Sequence, residues 1–264
     1  MFHPGERDTV GRFSELASLY DSYRPDYPAT AIDFIMERAG LQRGMRLIDI
    51  GCGTGISSRQ FAERGLEVIG IEPNSQMRQI AESLGVVTYR GGTAEATGMP
   101  DTSADAVLVA QAFHWFPTES ALRELLRILK PGGWVALIWN DRDDADPFTA
   151  GFDSLMRVHS PDPELSALRQ SETGMVLLHS QLFDCGERFE FPQQQSLTVE
   201  QLLGRANSVS FAPREPLAKQ RFETALRELH ARFASNGIAA LRYRTALFLA
   251  RKPLVPNRTE CYAK

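Results

Sequence analysis

Near the start of the chain a carboxylate, Asp49, is followed by glycines at every second position, Gly51, Gly53 and Gly55. A second carboxylate, Glu72, and a histidine, His114, follow further along. Arg46 to Ile50 is short, mostly apolar and β-branched, the pattern of a buried parallel strand. Ile56 to Arg64, with Gly65 behind it, reads as a helix with a glycine stop. The unit is therefore strand, tight glycine loop, helix. Its glycines let the backbone turn sharply and a ligand come close, and the helix points free N–H groups at the crevice.

Two ligand classes use such a crevice. Dinucleotide sites favour Gly-x-Gly-x-x-Gly, and Ile56 stands where the last glycine belongs. Asp49 would also repel a pyrophosphate, whereas it could pair with an ammonium group or favour a nearby sulfonium. Asp-x-Gly-x-Gly-x-Gly thus fits S-adenosylmethionine better than NAD. The competing reading is a tight turn with no ligand. His114 lies in Gln111-Ala112-Phe113-His114-Trp115-Phe116. It could be a general base for a substrate hydroxyl, a hydrogen-bond partner of a carboxylate, or a structural histidine between aromatic neighbours. The remaining histidines and cysteines show no ligand spacing, so no metal is expected.

The elements that must position these residues alternate along the chain. Ile32 to Ala39 has helical spacing and ends at Gly40. Glu67 to Ile71 reads as a second strand, and Pro73-Asn74-Ser75 opens a helix with Met77, Ile80, Ala81 and Leu84 on its apolar face. Val86 to Arg90 and Ala104 to Ala110 are predicted strands. A helix from Pro117-Thr118 carries Leu122, Leu125, Leu126 and Leu129 on one face and stops at Lys130-Pro131-Gly132-Gly133. Trp134 to Trp139 is the fifth strand. This alternation indicates a doubly wound parallel sheet. Beyond it, residues 141–180 read as helical pieces over the sheet's carboxyl end, and Leu182 to Phe191 as a strand. Thr198 to Gln201 is a capping box. A long helix through Phe222 and Phe233 ends at Asn236-Gly237, and Arg242 to Ala250 forms a terminal antiparallel strand. A short helix is also predicted over Phe13 to Tyr20.

The chain has 264 residues, 43% of them hydrophobic, with a formal net charge of -4. That charge is no footprint for nucleic acid, and no apolar run is long enough to cross a membrane. Cys52, Cys185 and Cys261 are too scattered for a disulfide framework. The first residues lack the basic start and apolar core of a signal peptide. A reducing, cytoplasmic setting is the resulting expectation.

Leu47 to Gly55, Glu72, Thr93-Ala94-Glu95, Asp105 to Ala110 and Leu129 to Gly133 occur in an order that resembles the class I S-adenosylmethionine-dependent methyltransferases. Tyr20, Arg24 to Pro28, Gln111 to Phe116 and Tyr243-Arg244-Thr245 are similar to the trans-aconitate methyltransferase-like branch. The resemblance implies one domain over residues 1–264. It would hold a seven-stranded, mostly parallel sheet in order 3-2-1-4-5-7-6, with strand 7 antiparallel and helices on both faces. Residues 1–30 and 141–180 would form covering segments on the substrate side.

Roles are implied residue by residue. Gly51, Cys52, Gly53 and Gly55 would line the methionine and ribose portion, and Asp49 would hold the ammonium. Glu72 would take the ribose hydroxyls, with Pro73 and Met77 beside it. Thr93, Ala94 and Glu95 would border adenine, although many relatives carry an acid where Thr93 stands. Gln111 and Tyr20 would complete the cofactor site. Arg24, Tyr27, His114, Trp115, Trp139 and Arg142 would face the substrate, with His114 as the catalytic candidate. The activity implied is methyl transfer to a small molecule, a carboxylate among the candidates. The alternatives are a non-catalytic S-adenosylmethionine-binding protein and, less favoured, an NAD-dependent oxidoreductase.

Overall fold

The computed structural model describes residues 23–161, 170–209 and 212–254. The helix predicted over Phe13 to Tyr20 lies outside them, as does Tyr20 itself. In chain order the elements are α1 (Ala29–Arg38), β1 (Arg46–Ile50), α2 (Ile56–Glu63), β2 (Glu67–Ile71), α3 (Ser75–Ser83), β3 (Thr88–Arg90), β4 (Ala104–Ala110), α4 (Thr118–Ile128) and β5 (Leu129–Arg142). Then follow α5 (Pro147–His159), α6 (Met175–His179), β6 (Asp184–Leu197), α7 (Val199–Asn207), α8 (Pro216–Phe233) and β7 (Ala239–Arg251). One seven-stranded sheet runs β3-β2-β1-β4-β5-β7-β6. β7 is antiparallel to both β5 and β6, and the other pairings are parallel. The expected order and strand directions therefore hold.

The strands that were plain in sequence are those buried on both faces. Ile48, Ile50, Val107 and Val109 pack toward α4, while Leu47, Ala106 and Leu108 pack toward α1 and α2 through Ile32, Ile35 and Phe61. Each face supplies its own apolar cluster, so these strands are buried on both sides. A third cluster joins α5, α7 and α8 through Phe152, Leu202, Phe222 and Leu226, and Tyr243 at the start of β7 belongs to it. Thr198 caps α7 as the predicted capping box, its hydroxyl accepting from Gln201 N–H.

Three expectations need correction in detail. Leu84, expected on the apolar face of α3, is 44% exposed. β3 begins at Thr88 rather than Val86, because Val86 has φ +63° and cannot pair as strand there. α4 stops at Ile128, before Lys130 to Gly133 as expected, but β5 runs from Leu129 to Arg142 rather than from Trp134 to Trp139. β5 starts at Leu129 opposite Ala104, shifts register, and resumes at Trp134 opposite Ala106.

Candidate active site

β1 and β2 end side by side, with Asp49 opposite Gly70 and Ile50 opposite Ile71. The glycine loop leaves β1 at this point. Gly51 and Gly55 have φ of +69° and +82°, in the left-handed region that penalises a Cβ. Space is also closed to a side chain: a Cβ on Gly51 would stand 2.7 Å from Ala112 Cβ, and one on Gly55 2.1 Å from Tyr89 Oη. Gly55→Ala should therefore lower stability by about 2 kcal/mol and displace Tyr89. A denaturation midpoint equal to wild type would contradict this.

The two carboxylates converge on the loop. Asp49 is fully buried; Ser57 and Ser58 at the start of α2 both donate to its Oδ2, at 2.7 and 2.6 Å, while Oδ1 has no hydrogen-bond partner. Burial pushes its pKa up to about 6, against the two serine hydrogen bonds, and the Glu72 charge adds to the rise. Glu72 closes β2 and reaches back. Its Oε2 accepts from Gly53 N–H at 2.9 Å and its Oε1 from Asn74 N–H at 2.8 Å. Burial raises the Glu72 pKa too, opposed by those amides and by Arg78. Arg78 Nη1 donates to the Glu72 carbonyl at 2.7 Å. Asn74 caps α3 by accepting from Gln76 and Met77 N–H, which sets Met77 beside Gly53. The result is a pair of desolvated anions around a turn, each oxygen of Glu72 keeping a lone pair for a further donor.

At the end of β4 the chain turns through Gln111, whose φ is +57°, into a 3₁₀ turn over Phe113–Trp115. Ala112 packs on the Gly51 side of the loop, and His114 lies against the Trp115 ring with centroids 4.8 Å apart. Trp139, fully buried on β5, donates from Nε1 to His114 Nδ1 at 3.4 Å. The indole nitrogen only donates, so Nδ1 is the acceptor and the neutral ring carries its proton on Nε2. Nε2 is buried without a hydrogen-bond partner, and burial pushes the imidazole pKa down to about 3. A second 3₁₀ turn, Gln170–Gly174, packs against this one, and Ser171 of that turn donates to Asp141 on β5.

The described N-terminal residues run across the strand ends. Tyr27 is bonded at both backbone groups by the Gln60 side chain of α2, and its own side chain is buried among Ile32, Ile35 and Phe61. The Asp26 carbonyl accepts from Asn140 on β5 at 2.9 Å, and that of Tyr23 from Gln195 on β6 at 3.0 Å. Arg24, half-buried, sits between them.

The other predicted site residues are more dispersed. Cys52 points under the loop with Ala81 and Tyr89, and burial raises its thiol pKa. Ala94 is buried, while Pro73, Thr93 and Glu95 are exposed. Arg142 forms an ion pair with Asp153 of α5 and lies 5.4 Å over the Phe152 ring. Sequence reasoning passed over Ser57, Ser58, Tyr89 and the Glu124 side chain, which takes Thr97 N–H at 2.9 Å and ties the loop after β3 to α4. Serines opening a helix behind a carboxylate were a visible signal; the Glu124 contact spans 27 positions and left none.

Residues 48–137 match the methyltransferase domain family. Over 240 residues the chain is 30% identical to an uncharacterised methyltransferase-like protein of Schizosaccharomyces pombe, covering 88% of this chain and 92% of that one. An uncharacterised methyltransferase of Mycobacterium tuberculosis is 39% identical over 139 residues; that match spans 52% of this chain and little more than half, 56%, of the relative. Among solved structures, a type II methyltransferase assignment from Anaeromyxobacter dehalogenans has the same fold at a TM-score of 0.64 and 24% identity, covering 89% of this chain and 100% of the other. The chain belongs to the methyltransferase family.

Proposed function

We propose that the protein binds S-adenosyl-L-methionine at the β1–α2 loop and transfers its methyl group to a small-molecule acceptor. The observation that carries this is the pair of buried carboxylates, Asp49 and Glu72, flanking a glycine turn that leaves no room for a Cβ at Gly51 or Gly55. A dinucleotide pyrophosphate would meet two anions there. An ammonium group and a ribose diol would meet what each needs. Membership of the methyltransferase family supports the same choice.

In this reading Asp49 Oδ1 takes the ammonium, directly or through water, and Glu72 accepts from the ribose hydroxyls. Gly51, Gly53 and Gly55 admit the methionine and ribose portion, and Met77 borders it. Ala94, with Thr93 and Glu95, lies on the adenine side, and Gln111 lends its backbone at the methionine end. The bound cofactor supplies an electrophilic methyl on sulfonium. The chain's own contribution is placement of the acceptor in line and exclusion of water.

His114 holds the acceptor in this reading. Its proton is on Nε2 and its pKa is far below neutrality, so it donates a hydrogen bond to an acceptor oxygen instead of removing a proton. A carboxylate acceptor, already ionised, needs no base. His114→Ala should lower kcat about tenfold, the scale of one hydrogen bond. His114→Gln should recover part of that loss through its amide N–H, and neither should change affinity for S-adenosylhomocysteine. Because the ring stays neutral, wild-type kcat should show no inflection from His114 between pH 5 and 8. An inflection near 6.5 that disappears in the glutamine variant would assign a base instead.

Turnover is the direct test. Methyl-labelled S-adenosylmethionine should deliver label to some member of a panel of small carboxylates, phenols and amines. Absence of S-adenosylhomocysteine formation with every acceptor, despite tight cofactor binding, would leave a binding protein in place of an enzyme.

A further inference from the structure

Arg205 lies on α7 and is only 4% exposed, with Nε and Nη1 buried and without hydrogen-bond partners. A guanidinium cannot shed its charge at any pH a protein meets, so burial without partners is costly. Its surroundings deepen the cost. Phe152, Leu202 and Ala206 belong to the apolar cluster of α5, α7 and α8. Arg142, from the end of β5, is in ion-pair contact with Asp153. Burial lowers the Arg142 pKa, and the Arg205 charge pushes the same way against Asp153. Asp153 in turn is raised by burial, while Arg142, Arg157 and Arg205 all pull it down.

Asp141, which accepts from Ser171, also acts on Arg142, and Asp144 pairs with Arg244. Arg142, Arg205 and the exposed Arg157 thus all act on one carboxylate, Asp153. Arg205 Nε and Nη1 still lack an acceptor, which a small carboxylate would supply.

The location adds a second line. Arg142 pairs with Tyr243 across β5 and β7, at the carboxyl end of β5. Tyr243 Oη donates to Gln195 Oε1 at 3.2 Å, and Gln195 Nε2 holds the Tyr23 carbonyl. The Tyr23 ring lies directly on Gly204, where a Cβ would come within 2.3 Å of it. The N-terminal segment therefore packs on α7 at Gly204, the residue before Arg205.

We propose that Arg205 and Arg142, balanced in part by Asp153, form a binding site for a small carboxylate at the carboxyl end of β5. Assigning that carboxylate to the methyl acceptor rests on the proposed function; the site itself does not.

The test uses three probes on the intact protein: succinamate, which carries one carboxylate, its neutral analogue succinamide, and inorganic phosphate. Succinamate should bind saturably by calorimetry and raise the melting temperature, and succinamide should do neither. Arg205→Met should weaken succinamate binding about tenfold or more. Its unliganded melting temperature should match or exceed wild type, since an unpaired buried charge is gone. Arg205→Lys keeps charge and loses the fork; it should also bind weakly, and it covers the case in which the methionine variant misfolds. Unchanged succinamate binding in the folded variants, no saturable binding to wild type, or a response to phosphate alone would overturn the site. S-adenosylhomocysteine affinity is measured alongside and should be equal in wild type and Arg205→Met. Its failure to bind wild type would strike the cofactor reading and leave the succinamate result standing.

Discussion

Glu72→Ala should weaken S-adenosylhomocysteine binding by about a hundredfold in a protein that still folds. A hydrogen bond to a charged group contributes roughly 1.5–3 kcal/mol, two ribose hydroxyls make two such bonds, and each ~1.4 kcal/mol is a decade. Truncation also frees the Gly53 and Asn74 amides that the carboxylate now receives. Glu72→Gln should fall close to the alanine variant, because one end of an amide donates and would face a backbone N–H donor. Adenosine, which has the ribose and lacks the methionine portion, should lose affinity in parallel. Calorimetry giving wild-type affinity for Glu72→Ala would remove Glu72 from the site.

Asp49 makes the second large prediction, and its sign is opposite for folding and for binding. Its pKa is raised from 3.8 to about 6 in the fold, so the folded protein holds this proton more tightly than the unfolded chain. The resulting stability is fully present below about pH 4 and is lost as pH rises through about 6. A shift of roughly two units corresponds to ~3 kcal/mol. Asp49→Asn should flatten this fall in stability between pH 4 and 6, measured by urea unfolding of the cofactor-free protein. Binding should run the other way. The ammonium wants the ionised carboxylate, so wild-type affinity for S-adenosylhomocysteine should rise as pH passes 6. The asparagine variant should bind about tenfold more weakly above that pH and show little pH dependence. Equal pH profiles for the two proteins would place the ammonium elsewhere.

How much of this was legible depends on where each signal was written. β1, β2 and β4 were read with their observed bounds, because a parallel strand buried on both faces spells a continuous apolar run. β5 and β6 were read short. Lys130 to Gly133 does stop α4, yet these residues already belong to β5, which passes a register shift before Trp134, and at the edge of the sheet β6 alternates exposed and half-buried residues on to Leu197. The 13-residue helix α5 was foreseen only as helical pieces, since its cap, Asp146, sits among several acids that could serve equally. At the site, the loop and both carboxylates were legible because they are consecutive or end adjacent strands. Arg142 was read as facing substrate, and the fold adds its pairing with Asp153. Arg205 was not legible at all: its burial follows from α5, α7 and β5 meeting in space, and no local pattern distinguishes it from a surface arginine.

The central claim is that the crevice above β1 and β2 takes S-adenosylmethionine and not a dinucleotide. Calorimetric titration of the cofactor-free protein with S-adenosylhomocysteine and, separately, with NAD tests it most directly. The expected result is saturable one-to-one binding of S-adenosylhomocysteine, lost on Glu72→Ala, with no detectable heat from NAD. Saturable binding of NAD with none of S-adenosylhomocysteine would contradict the account.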